Sequence, residues 1–367
     1  MSKPPYGKTL EIRRPDLAPP RLSHLWFIAR MAFSPHRVRS LLRVLEGKFL
    51  ASEPVHSDGG TLFVRLDELG DLAMTVPVLR TLTEQEVPYS ILVRRKNADL
   101  AKEWLGGHRV IVFEDLCEPG PLLELRAAWK AAALGPYGRT VLLSHHLPLL
   151  TSLVLRRVSG VQIRPRERTF DRSGLAHELS IVESEVGFPA TYFKASHRCR
   201  APLVVVQAAS RNPLRRWDTT KTRQFIMSML DVGFRVALVG SGGERPIAVE
   251  ICEGLPDTVE NLCGQTSLLQ LLTLVREAQL VVGVDSGVVH VAAIEGVPNV
   301  SLFGPQAVER WHPIGDNSVA VSARRWCSPC SQSACPYRPG ERCMDDIDLD
   351  TVIRASGLAL GQSFPPQ

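Results

Sequence analysis

The sequence predicts an α/β protein of two domains, each built on a parallel sheet flanked by helices. Three observations carry that reading. Short apolar runs of strand length recur at 61–66, 89–94, 110–113, 140–143, 202–207, 235–240, 280–284 and 299–303, separated by helical stretches. This is the alternation of βαβ units rather than of hairpins. Several runs, such as Leu280-Val-Val-Gly-Val284, are apolar at successive positions, as strands covered on both faces require. At 367 residues the chain also exceeds a single typical core.

In chain order, residues 1–21 carry Pro4, Pro5, Pro15, Pro19 and Pro20 among charges and read as a flexible lead. From 22 to 50, apolar residues interleave with Arg30, Arg37, Arg39 and Arg43, and Pro35 splits the stretch into two helices. Such basic amphipathic helices can lie on an anionic membrane face or pack on the protein itself. The lead and this helical extension make up residues 1–55, and the first domain is expected over 56–197. Its first strand, 61–66, runs into a loop, Asp67-Glu68-Leu69-Gly70-Asp71, and then a helix over 72–82 kinked near Pro77. In open α/β sheets, chemistry is sited beyond the carboxyl ends of strands. Asp71 is therefore either a proton acceptor or a helix-capping carboxylate. His145-His146 and the basic stretch 156–172 follow, readable as acceptor contacts or as solvated surface.

A boundary near 196–201 introduces a second domain over 198–345. Its first strand ends in a loop holding Ser210, Arg215 and Arg216, and the next ends in Gly240-Ser-Gly-Gly-Glu244. The stretch 280–305 is the organising one. The strand 280–284 meets Asp285-Ser286-Gly287, residue types that start a helix, and Val288 to Ile294 is short and almost wholly apolar. Gly296-Val297-Pro298 stops it before a second buried strand, 299–303. A helix start with free N–H groups beside His290 suits phosphate or pyrophosphate. Residues 346–367 contain a capped helix and a tail.

Asp285-Ser286-Gly287-x-x-His290, with Gly296-Val297-Pro298 and Leu302-Phe303-Gly304-Pro305, resembles the signature of glycosyltransferase family nine, the ADP-heptose:lipopolysaccharide heptosyltransferases. Residues 64–80, with Gly70-Asp71, are similar to its second hallmark. The resemblance implies a GT-B architecture, two Rossmann-like domains facing across a cleft, and a tail helix packing back towards the first domain. It implies an inverting glycosyltransferase with Asp71 as base, moving heptose from ADP-heptose onto a lipopolysaccharide core acceptor. The donor phosphates would meet Ser210, Arg215, Asp285, Ser286, Gly287 and His290, and the nucleoside would lie near Gly240 and Glu244. Trp217-Asp218 stands where the family commonly has Trp-Pro. Other readings are a protein (autotransporter-type) heptosyltransferase, transfer of another sugar, and a non-catalytic sugar-nucleotide-binding protein.

No Asp-x-Asp metal clamp falls in a suitable loop, so catalysis is expected to need no cofactor, with helix N–H groups and cations meeting the leaving-group charge. Cys327-x-x-Cys330, Cys335 and Cys343 place four of the eight cysteines within 17 residues. That spacing suits a structural zinc or iron site, and relatives that heptosylate proteins use a similar segment for iron. Reduced or disulfide-paired packing is the other reading. A formal charge of +5 fits an anionic substrate or lipid surface, while no motif argues for nucleic acid. No run approaches the ~20 apolar residues of a membrane span. Met1-Ser2-Lys3-Pro4-Pro5 lacks signal-peptide order, so a cytoplasmic enzyme is expected, with peripheral contact at the inner membrane.

Overall fold

The computed structural model describes residues 8–13, 60–113, 137–143, 162–163, 202–207, 209–330, 335 and 342–362. The two-helix reading of 22–50, His145-His146, the basic stretch 156–172 and the boundary at 196–201 lie outside these residues.

Two parallel sheets organise the molecule. Strand β1 (Lys8–Arg13) lies in the stretch read as a flexible lead, and that reading is corrected here. Leu10 and Ile12 alternate with polar residues, so one face of the strand packs against the second lobe's core while the other faces solvent. The surrounding prolines masked this short period-two pattern.

The first lobe contains β2 (Thr61–Arg65), α1 (Leu69–Glu84), β3 (Tyr89–Arg94), α2 (Ala98–Leu105), β4 (Val110–Phe113), β5 (Arg139–Leu142) and β6 (Gln162–Ile163). Its strands run in the order β4-β3-β2-β5-β6, all parallel. β2 is central and buried at every position, which is why Thr-Leu-Phe-Val-Arg shows no alternation.

The second lobe contains β7 (Leu203–Gln207), α3 (Thr219–Asp231), β8 (Arg235–Leu238), α4 (Arg245–Cys252), β9 (Val259–Asn261), α5 (Leu268–Glu277), β10 (Leu280–Val284), α6 (Gly287–Ile294), β11 (Asn299–Phe303), α7 (Val308–Trp311), β12 (Ser318–Arg324) and α8 (Leu349–Leu360). The order is β1-β12-β11-β10-β7-β8-β9, again parallel throughout. β10 and β7 meet where the strand order reverses, the position at which open α/β sheets bind ligands.

The tail helix α8 packs on β11, β12 and α3 of its own lobe. Asp348 caps it, accepting from Thr351 N–H at 2.7 Å, and Val352, Ile353, Ala355 and Ala359 join the second lobe's apolar cluster. That apolar stripe finds its partner locally, which differs from the expected return to the first lobe.

The two lobes join through α1 and α6. Leu72, Ala73, Val76 and Leu79 of α1 share one apolar cluster with Val288, Val291 and Ala292 of α6. The almost uniformly apolar sequence of α6 follows: one side packs on its own sheet, the other on α1.

Candidate functional site

The first component is the start of α1. Glu68 is its N-cap, and the carboxylates of Glu68 and Asp71 bond each other's backbone N–H groups as a capping box. The Glu68 N–H donates to Asp71 Oδ2 at 3.2 Å. The helix therefore begins at Leu69 rather than at 72, and Asp71 stands in its first turn rather than in the preceding loop. The common capping-box pattern begins with Ser or Thr, so a Glu–Asp version is easily read as loop.

Beneath Asp71 lies Arg65, only 2% exposed. Its Nε donates to Thr75 Oγ1 at 3.0 Å and its Nη1 to the Leu143 carbonyl at 2.8 Å, and Nη1 pairs with Asp67 at 3.4 Å. Thr75 Oγ1 in turn donates to the Asp71 carbonyl at 3.1 Å. Burial pushes the Asp71 carboxyl up to about 6. Arg65 and the Glu68 N–H oppose that rise, while Asp67 and Glu68 add to it. A carboxylate with this affinity is ionised at neutral pH and is a stronger proton acceptor than an exposed one.

The second component is the start of α6. Ser286 is its N-cap, yet its hydroxyl donates to Gln207 Oε1 at the end of β7 instead of capping the helix. Gln207 Nε2 donates onward to the Ala209 carbonyl at 3.2 Å. The first turn of α6 thus has no side-chain cap, and Ser286 is tied to the end of β7. Asp285, its side chain 10% exposed, pairs with Arg215 Nη1 at 3.3 Å. Burial drives its carboxyl up to about 6, and Arg215 pulls it back.

Arg215 ends the turn Pro213–Arg215, which Asn212 caps by accepting from Leu214 N–H at 3.0 Å. Ser210 shapes the same loop: its hydroxyl accepts from Asn212 N–H at 3.3 Å, and its carbonyl accepts from Arg216 Nε at 2.7 Å. Arg216 is consequently a brace within the loop. Trp217 anchors the loop's far end, buried and donating to the Ile347 carbonyl at 3.1 Å. Asp218 caps α3 by accepting from Lys221 N–H at 2.9 Å.

The two components meet at a pair of glycines. A Cβ added at Gly287 would stand 3.0 Å from Leu69, and one at Gly70 would stand 3.1 Å from His290 and 3.7 Å from the Gly287 Cα. Only hydrogen at both positions permits this approach. Asp71 follows Gly70 in sequence, so its backbone stands one residue from this approach of α1 to the α6 start. His290 is 4% exposed, and burial, with His312 adding, drives its imidazole down to about 4. The ring is neutral and packs at the junction, bringing no positive charge to it.

Across the same edge, Glu68 pairs with Lys96 of its own lobe at 2.7 Å and with Arg211 of the other at 3.4 Å.

Gly240 and Glu244 close on each other. Glu244 is buried, and its Oε2 accepts from Ser241 N–H at 2.6 Å, 2.8 Å from where a Cβ on Gly240 would lie. That carboxylate shapes the turn; the structure does not bring it to the Asp71–Gly287 junction.

Of the four clustered cysteines, Cys327 has its thiol pushed up to about 11 by burial, with Cys330 and Cys335 adding, and Cys343 to about 12 by burial, with Cys330 adding. Among the described residues, no three His, Cys, Asp or Glu side chains are arranged to hold a metal ion. The segment is fastened to the Gly304-Pro305 turn: a Cβ on Gly304 would lie 2.8 Å from Cys343 Sγ, and Cys330 N–H donates to the Pro305 carbonyl at 2.9 Å.

Arg65 and Gln207 are site residues that sequence reasoning missed. Each is a polar residue ending an apolar strand run, Thr-Leu-Phe-Val-Arg65 and Leu-Val-Val-Val-Gln207, and that was the available signal.

No described helix is long and apolar enough to cross a membrane. The model of glycosyltransferase family 9 (heptosyltransferase) matches residues 169–340. The chain is 30% identical over 113 residues to lipooligosaccharide heptosyltransferase 2 of Haemophilus influenzae, covering 30% of this chain and 33% of that protein. It therefore spans about a third of that relative's length. Among solved structures, a glycosyltransferase family 9 protein from Veillonella parvula superposes with TM-score 0.68 at 15% identity, covering 86% of this chain and 100% of that one. The Escherichia coli ADP-heptose lps heptosyltransferase II gives TM-score 0.62 at 18% identity, covering 82% and 99%. The expected GT-B architecture is the one observed.

Proposed function

We propose that the chain is a member of glycosyltransferase family 9 and that it transfers heptose from ADP-heptose to a hydroxyl of a lipopolysaccharide core acceptor. The transfer is a single displacement with inversion. One observation carries this reading: a buried proton-accepting carboxylate and a helix start suited to phosphate adjoin across the two lobes.

The chemistry follows from the two halves. The acceptor hydroxyl gives its proton to Asp71 as its oxygen bonds to the anomeric carbon, and the bond from that carbon to the phosphate oxygen breaks. Both electrons of that bond leave with ADP. The α6 N–H groups at Gly287 and the guanidinium of Arg215 receive the resulting charge. Asp285 aims Arg215, while Gln207 and Ser286 fix the loop against the helix start. Arg65 holds α1 in place and, as a nearby cation, keeps Asp71 ionised at neutral pH. No step needs a metal ion. The donor named for the E. coli structure is the natural first substrate. The same reading puts the enzyme in the cytoplasm, at the membrane face that carries its acceptor.

The test is turnover with ADP-heptose and a truncated core acceptor, followed as ADP release and product mass. Asp71→Ala should bind ADP as the parent does and lose transfer. Transfer retained by that variant removes the base.

A further inference from the structure

We infer that Glu295 is a positioning residue: a single carboxylate, gripped from both lobes, that sets α1 over α6 and thereby Asp71 over the phosphate-binding helix start.

Glu295 is the C-cap of α6. Its Oε1 accepts from Trp104 Nε1 of α2 at 2.9 Å and pairs with Arg80 Nη2 of α1 at 3.4 Å, both in the first lobe. Its Oε2 pairs with Arg276 Nε of α5, in its own lobe, at 2.8 Å. Arg276 reaches back to the first lobe, pairing with Glu103 at 2.9 Å. The Glu295 side chain is only 9% exposed. The negative end of a helix dipole is an unfavourable place for a carboxylate, and burial adds to that cost. Nothing within α6 calls for a Glu there; its partners all come from other helices.

The placement has a geometric consequence. Gly70 lies by Gly287 and His290, and Arg80 lies by Glu295, so α1 and α6 run parallel with both N-termini at the site. Between those ends the contact is made by apolar side chains, which resist separation but allow sliding. Directional hydrogen bonds at the far end, and the two glycines at the near end, fix the register. A slide along the pair would move Asp71 relative to the α6 start by the same distance. Reactive geometry is lost on displacements of about 1 Å, at a cost of up to about 100-fold in rate.

The catalytic part of this inference rests on the transferase reading; the interlobe part does not. The experiment uses the full chain carrying Glu295→Ala, Glu295→Gln and Arg80→Met, with Glu295→Ala/Arg80→Met as the double variant. Glu295→Ala should lower kcat by about 10- to 100-fold, leave ADP affinity unchanged, and speed amide hydrogen exchange in α1 and α6. Glu295→Gln, which keeps an acceptor for Trp104, should lose less. The double variant should be no worse than Glu295→Ala alone, because both changes break the same clasp. If Glu295→Ala does not fold, Arg80→Met and Trp104→Phe carry the test, since each removes only a first-lobe donor.

Parent-like kcat and amide exchange in the folded variants, or losses that simply add, overturn the inference. Should the parent show no transfer of heptose, the transferase reading fails instead. The clasp is then judged by amide exchange alone, faster exchange in α1 and α6 supporting it and parent-like exchange rejecting it.

Discussion

Replacing Asp71 by Asn should make the protein more stable and inactive at once. The carboxyl is held at about 6 against an ordinary 3.8, chiefly by burial. A difference of that size corresponds to roughly 3 kcal/mol by which ionising the folded protein is costlier than ionising the unfolded chain. The amide keeps an oxygen for the Glu68 N–H, so the capping bond survives. It gives up a negative charge at a helix start, worth about 0.3–1 kcal/mol. The expected gain above pH 6 is therefore about 2 kcal/mol.

The sign fixes the pH dependence. A carboxyl raised on folding stabilises the parent fully only below its unfolded value, and that contribution is lost as pH rises through about 6. The variant lacks this dependence. Asp285, likewise held at about 6, is present in both proteins and cancels in the comparison. Urea unfolding at about pH 7.5 and about pH 4.5 is the assay, and the advantage of Asp71→Asn should shrink towards zero at the lower value. A variant less stable than its parent at the higher pH, or a difference indifferent to pH, refutes the buried-carboxylate account.

Three further outcomes are expected. The rate at saturating donor should rise with pH through about 6 and then level as Asp71 ionises, and a profile still falling as pH rises past 6 contradicts a base. Gly287→Ala places a methyl 3.0 Å from Leu69, so it should cost about 1–3 kcal/mol by overpacking together with much of the turnover, both restored by Leu69→Ala; thermal unfolding and kinetics read the pair. Arg325 holds Asp346 through two bonds of 2.7 and 2.9 Å, both side chains under 10% exposed. Arg325→Met should therefore destabilise by about 3–5 kcal/mol in chemical denaturation, since it removes one partner of a buried ion pair.

Much was legible in the residues because short-range chemistry governs it. The strands 280–284 and 299–303 and the intervening helix follow from apolar runs bounded by Asp-Ser-Gly and Gly-Val-Pro, and they stand within a residue of where those signals put them. Asp71 was recognisable as the acidic residue after the first central strand, and Asp285, Ser286 and Arg215 as polar groups beyond the ends of central strands. Harder to see was what holds each one. Glu244 looked available to a ligand and is folded into its own capping box. His290 looked like a phosphate donor and is buried between the lobes. The four cysteines have metal-binding spacing and lie near enough to raise one another's thiols, but no three such groups among the described residues are arranged to hold a metal ion.

The sequence by itself determined the two parallel sheets, the strand ends that carry chemistry and the polar residues at those ends, because periodicity, capping and chain breaks act over a few neighbours. Only the tertiary structure decided which of those residues meet. The Gly70–Gly287 contact, the Arg65–Thr75 bond, the Gln207–Ser286 bond and the Glu295 clasp join positions 10 to 217 apart in the chain. Their energies depend on burial, and burial exists only once both lobes have closed around them.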